Sequence, residues 1–241
     1  MPQVTQCSIL KLGGAMQTFT RELLLLLVLA IAGQALGETR KVVAVVDTGL
    51  PYNSKTIPYL CKGLQYDLTE KGIQDIEGHG TNVMGIISSG LNPKTHCISM
   101  IKWWHDGKDS SLFAPRIISL MKLLPTLNPV LVNMSFGGEL YMPEEANGIK
   151  LLLAKGVRIV VSAGNDKQNL SIKCDKFPAC YPIKNKNFYV VGASNVAQAN
   201  YGGPITDYLP AKNLCGIFGV CMSGTSQAAA SKSAQLLQEM K

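Results

Sequence analysis

Three side chains in this sequence are of the types that nucleophilic acyl chemistry needs, and each has glycine close by. Asp47 ends the run Val42–Val46 and is followed by Thr48-Gly49, His79 lies between Gly78 and Gly80, and Ser226 follows Gly224-Thr225. A serine hydroxyl is a poor nucleophile at its own pKa and needs a base beside it. Histidine is the side chain that titrates near neutral pH without help. An aspartate behind the imidazole fixes the useful tautomer and stabilises the imidazolium. Asn165, in Ser162-Ala163-Gly164-Asn165, adds an amide donor for the oxyanion of a tetrahedral intermediate. The backbone N–H of Ser226, at a helix start, would be a second donor. His96 and His105 are the other histidines, and neither is flanked by glycine on both sides.

These groups act together only if the chain brings them to one place, and the pattern of elements does so. Val42–Val46 (VVAVV) reads as a strand buried on both faces. Ile98–Trp103, Val130–Met134, Val157–Val161 and Phe188–Val191 are further strand candidates. Between them lie helical stretches at Thr81–Ser88, Ser111–Leu124 and Pro143–Lys155, and an Ala-rich amphipathic one at Thr225–Met240. Pro143 with two following glutamates suits a helix N-terminus, and Gly156 suits its end. Strand and helix in alternation predict an α/β fold, a mainly parallel β-sheet with helices on both faces, as a single domain over residues 38–241. In such sheets chemistry sits beyond the carboxyl ends of the strands. Asp47 follows the first strand, Ser135-Phe136-Gly137-Gly138 the third and Ser162-Ala163-Gly164-Asn165 the fourth, while His79 and Ser226 open two helices.

The order Asp, His, Ser is the one that subtilisin uses for its triad, and the resemblance extends well beyond order. Val45-Val46-Asp47-Thr48-Gly49, His79-Gly80-Thr81-Asn82-Val83-Met84-Gly85 and Gly224-Thr225-Ser226-Gln227-Ala228 resemble the Asp, His and Ser motifs of the subtilisin-like (subtilase) serine proteases. Ala163-Gly164-Asn165 resembles their oxyanion segment, and Asn133-Met134-Ser135-Phe136-Gly137 their substrate-binding strand. Phe177-Pro178-Ala179 and Val190-Val191-Gly192-Ala193 resemble the segments that follow. The likeness covers most of residues 41–230. It implies a subtilisin-like fold and a secreted serine endopeptidase working through an acyl-enzyme, with Asp47, His79 and Ser226 catalytic and Asn165 in the oxyanion hole. It also implies that Ser135, Phe136, Gly137, Ala163 and Gly164 contact a protein or peptide substrate, Gly137 and its neighbours pairing with it as an added strand. The alternative is an inactive subtilase scaffold that binds peptides or a protein partner. Asp47-Thr48-Gly49 also resembles an aspartic protease motif, but no second Asp-Thr-Gly occurs.

The sequence departs from the family pattern at three positions. Asn82 stands where the family usually has a second His, Gln227 where it often has Met, and Ala230 where it usually has Pro. The loop Gly90–His96 is short and has no cluster of carboxylates. A calcium site is therefore not supported there, and no metal or other cofactor is expected.

Composition narrows the setting. The 241 residues are 46% hydrophobic and 16% charged, which excludes a disordered or coiled-coil chain. The net charge of +7 is spread out rather than gathered into a basic run, so a nucleic-acid partner is not expected. Leu23–Ala32 is a continuous apolar run, too short for a membrane span, with Arg21 before it and Ala35-Leu36-Gly37 after it. Residues 1–37 read as a secretory signal peptide, with Met16 as a possible start. Export, no stable membrane association after cleavage, and a monomer follow as expectations. Of seven cysteines, six follow the predicted cleavage site: Cys61, Cys97, Cys174, Cys180, Cys215 and Cys221. Six cysteines allow 15 connectivities. Cys61 and Cys97 lie near adjacent strand candidates, and the other two pairs are each close in sequence, so 61–97, 174–180 and 215–221 are the expected bridges. The predicted mature chain starts shortly before Asp47, where no pro-segment of the kind the family usually has is visible, and disulfides are expected to supply the stabilisation such a segment gives other family members.

Overall fold

The computed structural model describes residues 39–54, 57–105 and 112–240. The signal peptide read at 1–37 and the expected helix start at Ser111 lie outside the described residues. Seven parallel strands form one sheet in the order β2-β3-β1-β4-β5-β6-β7. They are β1 (Lys41–Asp47), β2 (Tyr66–Asp67), β3 (His96–Lys102), β4 (Leu131–Met134), β5 (Arg158–Ser162), β6 (Phe188–Ala193) and β7 (Asp207–Leu209). A small antiparallel pair, β8 (Leu214–Cys215) and β9 (Cys221–Met222), stands apart from the sheet. The helices are α1 (His79–Ser88), α2 (Phe113–Leu123), α3 (Pro143–Ala154) and α4 (Thr225–Glu239).

The period of two in a strand sends β1 side chains alternately to opposite faces. Val42, Ala44 and Val46 enter one core, with Ile117 and Leu120 of α2 and Ile149 and Leu152 of α3. Val43 and Val45 enter the other, with Val83, Met84 and Ile87 of α1 and Ala228, Ala229 and Ala230 of α4. This is why VVAVV shows no polar alternation: both faces are covered. Each fully buried aliphatic side chain of this kind stabilises the fold by about 1.5–3 kcal/mol. Ala230 is packed against the sheet with no surface exposed, and alanine keeps the second turn of α4 regular at that position.

The chain runs from β1 outward to β3 on one side and to β4 on the other, so the strand order reverses between β1 and β4. That reversal opens a crevice at the carboxyl ends of these two strands. Asp47 is the last residue of β1, and Ser135 directly follows β4.

Three disulfides join Cys61 to Cys97, Cys174 to Cys180 and Cys215 to Cys221, the set that the spacing suggested. The first anchors the segment before β2 to β3, where the Cys61 N–H also donates to the Ile98 carbonyl. Closing that loop stabilises by about 3–4 kcal/mol in the chain-entropy model, and each six-residue loop by about 2.

Candidate active site

Asp47 and His79 meet in the crevice. His79 Nδ1 lies 2.7 Å from Asp47 Oδ1, and the same oxygen accepts from the Thr48 N–H at 2.8 Å. His79 opens α1 because Gly78 before it takes a left-handed turn, φ 80°. Gly80 has to be glycine for a different reason: a Cβ there would stand 2.6 Å from the Gly49 carbonyl oxygen. The close approach of α1 to the end of β1 is what puts the imidazole over the carboxylate.

Asp75 fixes that approach, and the sequence reading did not single it out. Its Oδ1 accepts from Thr48 Oγ1 at 2.9 Å and from the Gly78 N–H at 2.9 Å. Its Oδ2 accepts from the Thr81 N–H at 2.8 Å and Thr81 Oγ1 at 2.7 Å. Burial alone would raise the Asp75 carboxyl, but the hydrogen bonds from Thr81, Thr48 and Gly78 outweigh it and hold its pKa below the usual value. One carboxylate thus ties the end of β1 to the first turn of α1. Beneath it, the buried Lys102 ammonium donates to the carbonyls of Gly72 at 2.8 Å and Gln74 at 2.6 Å. The only sequence sign of Asp75 was an acidic residue four positions before the histidine.

Ser226 lies in the first turn of α4 and is buried. Its Oγ donates to the Ser135 carbonyl at 3.1 Å, and no hydrogen bond joins it to His79. Catalytic hydrogen bonds are commonly long or unmade without substrate. Ser135 Oγ bridges back to Asn133 Oδ1 at 2.8 Å and to the Ser226 carbonyl at 3.2 Å, so β4 and α4 are locked together at the serine. Asn165 Oδ1 accepts from the Thr225 N–H at 2.9 Å. Because Thr225 N–H is a donor, this bond fixes which way the amide is turned and leaves Asn165 Nδ2 free to donate elsewhere. A Cβ on Gly224 would come within 3.2 Å of that Nδ2, so the glycine before Thr225 keeps the donor's space open. Thr225 Oγ1 also accepts from the Gly164 N–H at 3.0 Å.

Two cavities flank these groups, and both are walled by Phe136 and Gly137. The first, about 270 Å³, also touches Asp47, His79, Trp103, Trp104 and Phe113. The second, about 240 Å³, also touches Gly164, Asn165, Asp166, Lys176 and Ser226. Of the expected substrate-contact residues, Phe136, Gly137 and Gly164 line the second cavity and Ser135 lines the first. Ala163 is fully buried, and its carbonyl accepts from Asn200 Nδ2 at 2.9 Å. Asn200, also fully buried, accepts at Oδ1 from the N–H groups of Asp166 and Gln168, both at 2.9 Å. It shapes the turn that presents Asn165, and nothing in its sequence surroundings marks it.

Two of the departures from the family pattern prove to be one feature. Gln227 Nε2 donates to Asn82 Oδ1 at 2.9 Å, with both side chains buried. Asn82 Nδ2 in turn donates to the carbonyls of Val220 at 2.7 Å and Leu214 at 3.0 Å. The pair clasps α1 to α4 and to the β8–β9 segment. Gln227→Met would strand the Asn82 oxygen without a donor, and is expected to destabilise the protein by about 1–3 kcal/mol in urea unfolding. Adding Asn82→Ala should then cost less than it does alone, by the worth of the shared bond, while its bonds to Val220 and Leu214 are lost in either background. An unchanged unfolding midpoint for Gln227→Met would contradict the clasp.

The Asp47 charge, outweighing burial, raises the His79 pKa from 6.5 to about 8. Nearby Asp75 and Glu77 add to the rise. A general base works only when neutral, so with His79 in that role kcat/KM for hydrolysis would climb about tenfold per pH unit up to about pH 8 and then level. Asp47→Asn should shift that limb to lower pH while lowering the rate. A profile already flat below pH 6.5 would contradict the assignment of His79 as base.

A family model described as the subtilase family of peptidases matches residues 39–240. A thermophilic serine proteinase from a Bacillus species is 24% identical over 212 residues, covering 80% of this chain and 50% of that protein. The chain therefore spans about half the length of the curated relative it matches. Among solved structures, a lanthipeptide protease superposes with a TM-score of 0.67 at 17% identity, covering 82% of this chain and 72% of that one. A cold-adapted subtilisin-like serine proteinase gives 0.60 at 22% identity, covering 83% and 77%.

Proposed function

The chain belongs to the subtilase family, and from that premise we propose that it is a secreted serine endopeptidase that hydrolyses peptide bonds through an acyl-enzyme. In the first step His79 Nε2 takes the Ser226 Oγ proton as Oγ bonds to the scissile carbonyl carbon. Asn165 Nδ2 and the Ser226 N–H receive the oxyanion, aided by the positive end of α4. His79 then gives its proton to the leaving amine and the C–N bond breaks. Water, deprotonated by the same imidazole, releases the acid and restores Ser226. Asp47 holds Nδ1 of the ring at 2.7 Å and steadies the imidazolium. No cofactor enters this scheme. The observation that carries the reading is the Asp47–His79 contact at 2.7 Å, in a cavity that shares its Phe136 and Gly137 walls with the neighbouring cavity lined by Ser226 and Asn165.

Export is supported by the apolar N-terminal run and by three disulfides, which persist in oxidising compartments. Among the described residues no helix is long and apolar enough to cross a membrane. A peptide-binding scaffold without activity is the second reading, and the turn of Ser226 Oγ toward Ser135 rather than His79 is what favours it. Digestion of a peptide library, read by mass spectrometry, decides between them. Cuts at internal bonds support the endopeptidase. Trimming from the ends only, or binding without cleavage, contradicts it.

A further inference from the structure

The cavity beside Ser226 also bears on what would be cleaved. We propose that it selects peptides with a carboxylate side chain on the residue whose carbonyl is attacked, and that Lys176 is the residue that reads it. This rests on the reading of Ser226 as nucleophile and Asn165 as oxyanion donor. Both line this cavity. With the carbonyl carbon at Ser226 and its oxygen at Asn165, the adjoining side chain starts two bonds away, at the mouth of the same space.

The cavity holds two charged groups, Lys176 and Asp166. They are not equivalent. The Lys176 side chain is 14% exposed, whereas Asp166 is 50% exposed and Glu139, the other partner of Lys176, is 69% exposed. Lys176 Nζ lies 2.7 Å from Glu139 Oε1 and 3.4 Å from Asp166 Oδ2. Exposed carboxylates are screened by water, and their side chains can rotate away at little cost. The Lys176 side chain is the least exposed of the three, and the backbone that carries it is held in place. Its backbone lies inside the Cys174–Cys180 loop, and the next residue, Phe177, exchanges two backbone hydrogen bonds with Gly138 at 2.8 and 2.9 Å. A side chain entering the cavity therefore meets a little-exposed cation and one half-exposed anion, Asp166, whose Oδ2 also accepts a long bond from Asn200 Nδ2 at 3.4 Å.

An ammonium carries three donors. Two carboxylate partners leave one for a substrate oxygen, and an incoming carboxylate can also displace the longer Asp166 contact. A substrate lysine or arginine would gain an exposed, screened Asp166 while its charge is forced toward Lys176. An apolar side chain would dry the ion cluster and offer it nothing. Phe136 walls both cavities and Phe177 lines this one, but the other adds Trp103, Trp104 and Phe113 and has no lysine.

The test is a peptide series identical except at the residue before the cleaved bond, which is Glu, Gln, Leu or Lys. Wild type, Lys176→Met and Lys176→Glu are assayed with each peptide. Fluorophosphonate titration counts the competent sites in every preparation, so a protein that fails to fold or to react is recognised separately. Wild type should favour Glu over Leu and Lys, and the Glu-to-Leu ratio of kcat/KM should fall by about 10- to 100-fold in Lys176→Met, as expected for a lost charge-assisted hydrogen bond. Lys176→Glu should turn the preference toward Lys. A wild-type preference for Lys or Leu would overturn the proposal, as would a profile that titrated Lys176→Met leaves unchanged. Failure of the wild type to react with the fluorophosphonate would instead overturn the reading of Ser226 beneath it, and the proposal with it.

Discussion

Ser226→Ala is expected to lower kcat on a peptide substrate by about a million-fold, and His79→Ala by about as much, with the double variant no worse than either. The magnitude is that of the corresponding losses in subtilisin, another subtilase. The physical reason for the missing additivity holds for these residues directly. Ser226 without a base is an unactivated alcohol, and His79 without the hydroxyl has no proton to take. A residual rate over water should survive in each variant, because Asn165 and the two cavities remain. Both variants should fold: Ser226 Oγ donates a single hydrogen bond, to Ser135, and His79 is 28% exposed. Steady-state kinetics with a circular dichroism check measures this. Losses below about a hundredfold would remove these residues from the chemistry.

Asn165→Ala is the second large expected effect. The loss should fall mainly on kcat, by about 10²–10³-fold, the cost of removing one oxyanion donor in subtilisin. A binding role would raise KM instead. The variant also removes the acceptor for the Thr225 N–H, at the start of α4. Asn165→Asp separates the two roles. It keeps an oxygen for Thr225 but brings a negative charge toward the oxyanion in place of a donor, so it should be at least as damaging to kcat as alanine. If Asn165→Asp retained wild-type kcat, the side chain would serve only the turn.

The parts of this molecule that were legible from sequence share a property: their evidence is local. VVAVV announces a strand buried on both faces through five adjacent residues, and β1 spans it. Thr225–Met240 reads as a helix from its own composition, and α4 ends one residue earlier, at Glu239. Glycines next to Asp47, His79 and Ser226 mark turns that their own neighbours require. What escaped depends on partners far along the chain. β2 and β7 have two and three residues, too few to show a period, and exist because β3 and β6 offer them an edge. Asp75 becomes a hub only through Thr48, 27 residues away. Asn200 shapes the Asn165 turn from 34 residues beyond Asp166. Asn82 and Gln227, 145 residues apart, look like two unrelated departures from a pattern until the fold joins them. Lys176 reads as an ordinary surface lysine beside Phe177, and only the position of its loop against Gly138 makes it part of a wall.

The proposed activity stands or falls with Ser226 as an activated nucleophile. The most direct measurement is reaction of the purified protein with a fluorophosphonate, followed by peptide mapping in the mass spectrometer. One adduct per chain is expected, on Ser226, lost in Ser226→Ala and formed at a rate that rises with pH up to about 8 as His79 loses its proton. No adduct, or an adduct on another residue that persists in Ser226→Ala, would contradict it.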